Sequence, residues 1–397
     1  MVLDFYVIDN GEVHKIGGSS PLVMINGAVH TYGTDSLDEP YLKEWGWQCC
    51  TPAEKEIYRH LYQQMMQGAV DAVNKEAIIN DLTEKLGSAS KNVIKKVEAD
   101  EYATFMAIDV EQFGIGEESV LYTICQRVMM DNPLTMFPMW PCMQGFIPAI
   151  KDANNKIKSV YSVVPTAEKR AQAIEICEEQ IGKIREKIEE LYGIKSGDVL
   201  TVTQKAKVLK VIHDYLVLHA NQDDGLVIEW LQSTPYAVYD SRYKGLCKTY
   251  TMAFLAAARQ YGIEALYMSG DAYVNADNSE DGSYEFYGPH AWVAVRLSDE
   301  VYGTYPGDPG VWSCIDVYWD EPAKERELGG NPDRTDVIWK YFLDMTEINI
   351  LSENETKTGH SYRTVNDTIY NNLPMGGPPS LSMPYIGNEI YLWRDNE

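Results

Sequence analysis

The spacing of apolar residues changes character along the chain, and each change predicts a different kind of element. In the first 48 residues, short apolar runs such as Phe5-Tyr-Val-Ile-Asp and Leu22-Val-Met-Ile are punctuated by Gly11, Gly17-Gly18 and Gly27. That punctuation predicts short strands or an extended arm over 1–48. From Thr51 the period becomes helical, with Ile57, Leu61, Met65 and Ala69 recurring every four residues. Thr51-Pro52-Ala-Glu54 supplies an N-cap residue, a proline at the first helical position and an acid in the first turn.

Further helices are predicted over 91–97, 117–130, 166–192 and 203–220. Asp131-Asn-Pro133 ends the second of these, because the residue before proline is pushed out of the helical region. Gly193 closes the third. Beyond Asn221 a turn-rich segment leads to Gly245-Leu-Cys247 and a short apolar helix ending at Gly262. Strand-like runs follow at 265–268, 290–297 and 312–319, and a last one at 389–393 follows Gly376-Gly-Pro-Pro379. The pattern divides the chain into a strand-like arm (1–48), a mainly helical lobe (49–200), a mixed core (201–358) and a tail (359–397) with a short strand.

Composition narrows the function classes. A formal net charge of −25 without a basic stripe argues against nucleic acid, which requires clustered Lys and Arg. No apolar run approaches the roughly 20 residues of a membrane-spanning helix, so no span is expected. The start, Met1-Val-Leu-Asp-Phe, lacks the basic and apolar regions of a signal peptide. Acidity and an immediate strand-like start suit an extracellular or cell-surface protein whose leader has been removed, with a cytoplasmic location left open. Seven cysteines, an odd number without CxxC spacing, describe neither a disulfide scaffold nor a zinc site. No cofactor or metal is expected. His213 and His219, six apart, fall on different helix faces and read as structural. Asp277-Asn-Ser279-Glu-Asp281-Gly282 copies part of a calcium loop, but Gly288 stands where the last acid belongs, so the segment reads as a solvated loop.

Chemistry concentrates at three positions. A thiol is a good nucleophile only as thiolate, and a helix N-terminus and an imidazole both favour that form. Cys247 opens the apolar helix Lys248-Thr-Tyr-Thr-Met-Ala-Phe-Leu-Ala, which puts its sulfur in the first turn and its own N–H within reach of an oxyanion. In the run His290-Ala-Trp-Val-Ala-Val-Arg-Leu, strand alternation puts His290 and Trp292 on one face and Ala291, Val293 and Val295 on the other. Asp316, inside Trp312-Ser-Cys-Ile-Asp-Val-Tyr-Trp, is costly to bury unless paired, and a strand histidine is its natural partner. A buried cysteine beside a satisfied His–Asp pair is the bland alternative.

The ordered pieces Gly245-Leu-Cys247, Tyr261-Gly-Ile-Glu-Ala265, Ser269-Gly270, His290-Ala-Trp292 and Asp316-Val-Tyr-Trp319-Asp320 resemble the transglutaminase-like superfamily over about 205–350. The resemblance implies an α+β, papain-like core: a helix carrying Cys packed on an antiparallel sheet that presents His and Asp. It also implies Cys247 as nucleophile, His290 as general base and acid, and Asp316 as the orienting carboxylate. Tyr243 and Trp292 are candidates for substrate or oxyanion contacts. His213-Asp-Tyr-Leu and Asp131-Asn-Pro resemble the helical extension of bacterial, often exported, members, which implies a protein or peptide substrate, cell-wall peptide included. Acyl transfer to water makes such an enzyme a protease or amidase, and transfer to an amine makes it a cross-linking transglutaminase. A non-catalytic surface binding protein is the third reading. Lys248-Thr-Tyr250 and Val293 depart from residues common in the family, and the loop 302–310 is an insertion.

Overall fold

The computed structural model describes residues 4–9, 12–17, 22–25, 28–31, 44–67, 75–99, 103–135, 149–220, 234–240, 245–275, 284–298, 311–320, 342–343 and 360–362. The arm forms two hairpins, β1 (Asp4–Asp9) with β2 (Glu12–Gly17) and β3 (Leu22–Ile25) with β4 (Ala28–Thr31). Helix α1 (Trp45–Gln48) ends the arm, and the lobe follows with α2 (Pro52–Gln67), α3 (Lys75–Leu86), α4 (Ser90–Ala99), α5 (Glu118–Asp131) and α6 (Ala167–Tyr192).

The helix ends follow local chemistry. Thr51 and Glu54 form a reciprocal pair at the start of α2, with Glu54 N–H donating to Thr51 Oγ1 and Thr51 N–H to Glu54 Oε2. α6 starts after Thr166, whose hydroxyl accepts from the Lys169 N–H, and stops at Gly193, which adopts the left-handed φ of 67°. α5 ends before Asn132 and Pro133, as their sequence predicts.

The lobe also contains a three-stranded antiparallel sheet that the sequence pattern did not indicate. Its order is β5 (Ala103–Asp109), β7 (Ile157–Pro165), β6 (Ala149–Lys151). The cause of the miss is burial: every β7 residue except Lys158 is buried, so the strand shows no alternation of apolar and polar positions.

The core is built from α7 (Val202–His219), α8 (Tyr236–Tyr239), α9 (Cys247–Arg259) and the antiparallel sheet β10 (Val311–Ile315), β9 (Tyr284–Ser298), β8 (Ala265–Asn275), β11 (His360–Tyr362). It is an α+β arrangement in which a central helix packs against β9 and β8, as the papain-like expectation requires. Residues 249–258 of α9 are all buried. Phe254 and Leu255 are each worth about 1.5–3 kcal/mol of burial, while Ala256, Ala257 and Ala258 let neighbours approach closely. Tyr239 Oη donates to the Ala253 carbonyl and ties α8 to α9.

One element is shorter than its sequence predicts. The run 312–319 reads as a strand, but β10 stops at Ile315 and a turn follows. Asp316 is the reason. Its carbonyl accepts from Asp320 N–H at 3.2 Å and its Oδ1 accepts from Trp319 N–H at 3.2 Å, so the aspartate closes a turn on itself.

Lobe and core meet at Arg259, the last residue of α9. Its Nη1 donates to the carbonyls of Met130 (2.8 Å) and Asp131 (2.6 Å) at the end of α5, where a cation is favoured. Its Nε lies 2.8 Å from Glu44 Oε2. No helix among the described residues is long and apolar enough to cross a membrane.

Candidate active site

The Gly-x-Cys sequence has a packing cause. A Cβ on Gly245 would lie 2.7 Å from Val238 Cγ2 and 2.9 Å from both Thr249 Oγ1 and Tyr250 Cε2, so only glycine lets the chain enter α9 here. Leu246 precedes the helix in extended conformation and offers no side-chain cap. Cys247 is therefore the first helical residue, half-buried, at the positive end of the helix dipole and without a carbonyl one turn earlier for its N–H.

The sheet register supplies the other two side chains. Ile315 pairs with Val293 and Cys314 with Ala294, so the strand direction carries Asp316 to the level of Trp292, on the face that also holds His290. His290 Nε2 lies 2.6 Å from Asp316 Oδ2, and both residues are buried. The Cys247 thiol is hydrogen-bonded to His290, which leaves Nδ1, the other ring nitrogen, for the sulfur. The Ala291 backbone N–H also donates to the sulfur.

These contacts decide the proton's place. Burial pushes the Cys247 thiol up, but the charge and hydrogen bond of His290 and the Ala291 N–H outweigh it, and the pKa falls below that of an ordinary thiol. Burial pushes His290 down, but the Asp316 and Cys247 charges and their hydrogen bonds raise it well above an ordinary imidazole. The two directions agree on a thiolate–imidazolium pair held by a carboxylate. Lys248, next along the helix, is lowered by burial to about 8, against the opposing influence of Cys247.

Aromatic rings enclose the imidazole. Trp292 lies alongside it at 6.2 Å, with Trp319 at 5.2 Å and Tyr318 at 5.8 Å. Trp292 is buried, so the indole shapes the wall behind His290. Tyr243, the other oxyanion candidate, lies outside the described residues, as do the partial calcium loop 277–282, the insertion 302–310 and the terminal strand 389–393. Across the lobe–core boundary, α5 packs against β8, the strand that carries Tyr267. A cavity of about 420 Å³ lined by Glu44, Asp131, Ile174 and Arg259 opens at the far end of α9, roughly 18 Å along the helix from Cys247. It belongs to the lobe–core junction and holds none of the three candidate residues.

His213, read from sequence as structural, lies behind this site in a closed ionic group. Its Nδ1 is 3.1 Å from Asp214 Oδ1 and its Nε2 is 3.0 Å from Asp320 Oδ2. Lys210 Nζ is 2.5 Å from Asp214 Oδ2. The sequence signal was present but easily passed over: three ionisable residues, Lys210, His213 and Asp214, interrupt the otherwise apolar stretch 208–217. Among the described residues no group of three or more His, Cys, Asp or Glu side chains could hold a metal ion.

Residues 197–316 match the sequence model of the transglutaminase-like superfamily. The matched segment runs from just before α7 to Asp316 and includes Cys247 and His290. No curated protein matches the chain.

Proposed function

We propose that this protein is a cysteine-nucleophile acyl-transfer enzyme that hydrolyses peptide or isopeptide amides through a thioester on Cys247. The observation that carries the reading is the ordered contact Cys247–His290–Asp316, with His290 Nε2 2.6 Å from Asp316 Oδ2. The superfamily to which residues 197–316 are similar is one of cysteine-based acyltransferases and proteases.

The Cys247 thiolate attacks the carbonyl carbon of a substrate amide, and the oxyanion forms beside the N-terminus of α9. As the tetrahedral intermediate collapses, the C–N bond breaks and the His290 imidazolium gives its proton to the leaving amine. A thioester remains. Neutral His290 then takes a proton from water as the water oxygen attacks the thioester, and the C–S bond breaks to release a carboxylic acid and the thiolate. Asp316 holds the ring by its second nitrogen throughout and stabilises each imidazolium state. The substrate is a protein or peptide, and strong acidity suits an extracellular or cell-surface setting.

The test compares wild type with Cys247→Ala on casein and on a labelled primary amine. Casein fragmentation that disappears in the variant supports hydrolysis. Amine incorporation that disappears in the variant, without fragmentation, replaces hydrolysis by cross-linking. If neither occurs and Cys247 alkylates no faster than free cysteine near neutral pH, the enzyme reading fails and a binding role takes its place.

A further inference from the structure

We infer that the His213–Asp320 ion pair is a positioning device that locks the turn carrying Asp316, and through it the orientation of His290. The inference rests on the active-site reading given above and adds residues that act on the triad without touching substrate.

The geometry runs through one short turn. Beyond Ile315 the sheet ladder no longer holds the chain, so Asp316 depends on the turn for its direction. Its Oδ1 is held by Trp319 N–H and its carbonyl by Asp320 N–H, which leaves Oδ2 for His290. The side chain of Asp320 points away from that turn to His213 Nε2, on a helix 107 residues earlier. His213 also meets the Phe342 ring at 5.0 Å, and Phe342 forms a β-bridge to Ile315. The imidazole of His213 therefore touches both ends of the structure that presents Asp316.

The charge state makes the lock rigid. A neutral imidazole has a single N–H, yet both nitrogens of His213 face carboxylate oxygens, so both contacts are satisfied only by an imidazolium. Burial opposes that charge, but the hydrogen bonds and charges of Asp214 and Asp320 outweigh it and raise the pKa. With Lys210 on Asp214, two cations balance two anions in a group whose His213, Asp214 and Asp320 side chains are fully buried. Breaking one partner of such a group leaves an uncompensated buried charge, so His213 and Asp320 are neutralised together.

The test is the charge-balanced double variant His213→Gln/Asp320→Asn, assayed beside wild type and Asp316→Asn. Cys247 is alkylated across pH with iodoacetamide and with anionic iodoacetate, which gains rate only while His290 carries its proton. Circular dichroism verifies folding. In wild type the preference for iodoacetate should persist well above neutral pH. In the double variant the pH at which that preference is lost should fall by at least one unit, about tenfold in the proton equilibrium, towards its value in Asp316→Asn. A purely structural role would lower the melting temperature and leave that pH unchanged, which overturns the inference. A wild-type thiol no faster than free cysteine overturns the active-site reading, and the positioning role falls with it. Should the double variant not fold, nitrogen-15 NMR of wild-type histidines decides: two protonated ring nitrogens on His213 at pH 7 support the lock, and a neutral ring overturns it.

Discussion

His290 Nε2 and Asp316 Oδ2 are 2.6 Å apart, and the carboxylate's other oxygen is occupied by the Trp319 N–H. The carboxylate is thereby committed to one imidazole nitrogen, and the remaining nitrogen is turned to the Cys247 thiol. Burial alone would make this thiol less acidic than a free one, so its reactivity depends on a neighbour 43 residues away in sequence (247 to 290).

Replacing that neighbour should reverse the shift. In His290→Ala the burial effect stands unopposed by imidazolium, and the thiol pKa rises from below to above the ordinary value. Alkylation by iodoacetamide at pH 7 should slow by at least about tenfold, since each pKa unit changes the thiolate fraction by that factor. An unchanged rate would remove His290 from the site.

The thiols should differ sharply in reactivity. Burial pushes Cys49 to about 11 and Cys50 and Cys314 to about 12, and it raises Cys177 as well. Among these and Cys247, one equivalent of alkylating reagent at pH 7 should label Cys247, as read by peptide mass spectrometry. Preferential labelling of Cys49, which is also half-buried, would count against a lowered Cys247 pKa.

Gly245→Ala tests the entry to α9. The added methyl meets three groups at 2.7–2.9 Å, two of them on the helix itself. Overpacking of this kind costs about 1–3 kcal/mol, measurable by urea unfolding, and it should also move Cys247 out of register with His290. Loss of activity without loss of stability would mean that the helix start shifts cheaply.

The lobe–core junction should make stability depend on pH. Burial raises Asp131 from 3.8 to about 6 and Glu44 from 4.5 to about 7, with Arg259 pulling both down. Folded-state values above the unfolded ones mean that the native protein binds more protons, so stability falls as pH rises from about 4 to 7. A shift of about two units is worth roughly 3 kcal/mol for each group. Glu44→Gln should flatten the upper part of that slope in unfolding measured between pH 5 and 7.5, and an unchanged slope would place its origin elsewhere.

Much of the site was legible because its signals are local. Gly-x-Cys before an apolar helix, alternation around His290 and an aspartate in an aromatic run are each read within ten residues. The same locality misled at 312–319, where β-branched and aromatic residues read as strand although Asp316 turns the chain by bonding its own backbone neighbours. In the lobe, β7 escaped because burial on both faces erases the two-residue period.

By itself the sequence determined most of the helices, the helix start that exposes a thiol, and the strand parity that puts His290 and Asp316 on one face. Tertiary structure alone decided which imidazole nitrogen meets which partner, that His213 closes on Asp320, and that Arg259 spans Asp131 and Glu44. The physical reason is that periodicity records only which face of an element is buried. Polar contacts separated by 107 or 128 residues depend on how whole elements pack, and packing leaves no periodic trace in either partner's own segment.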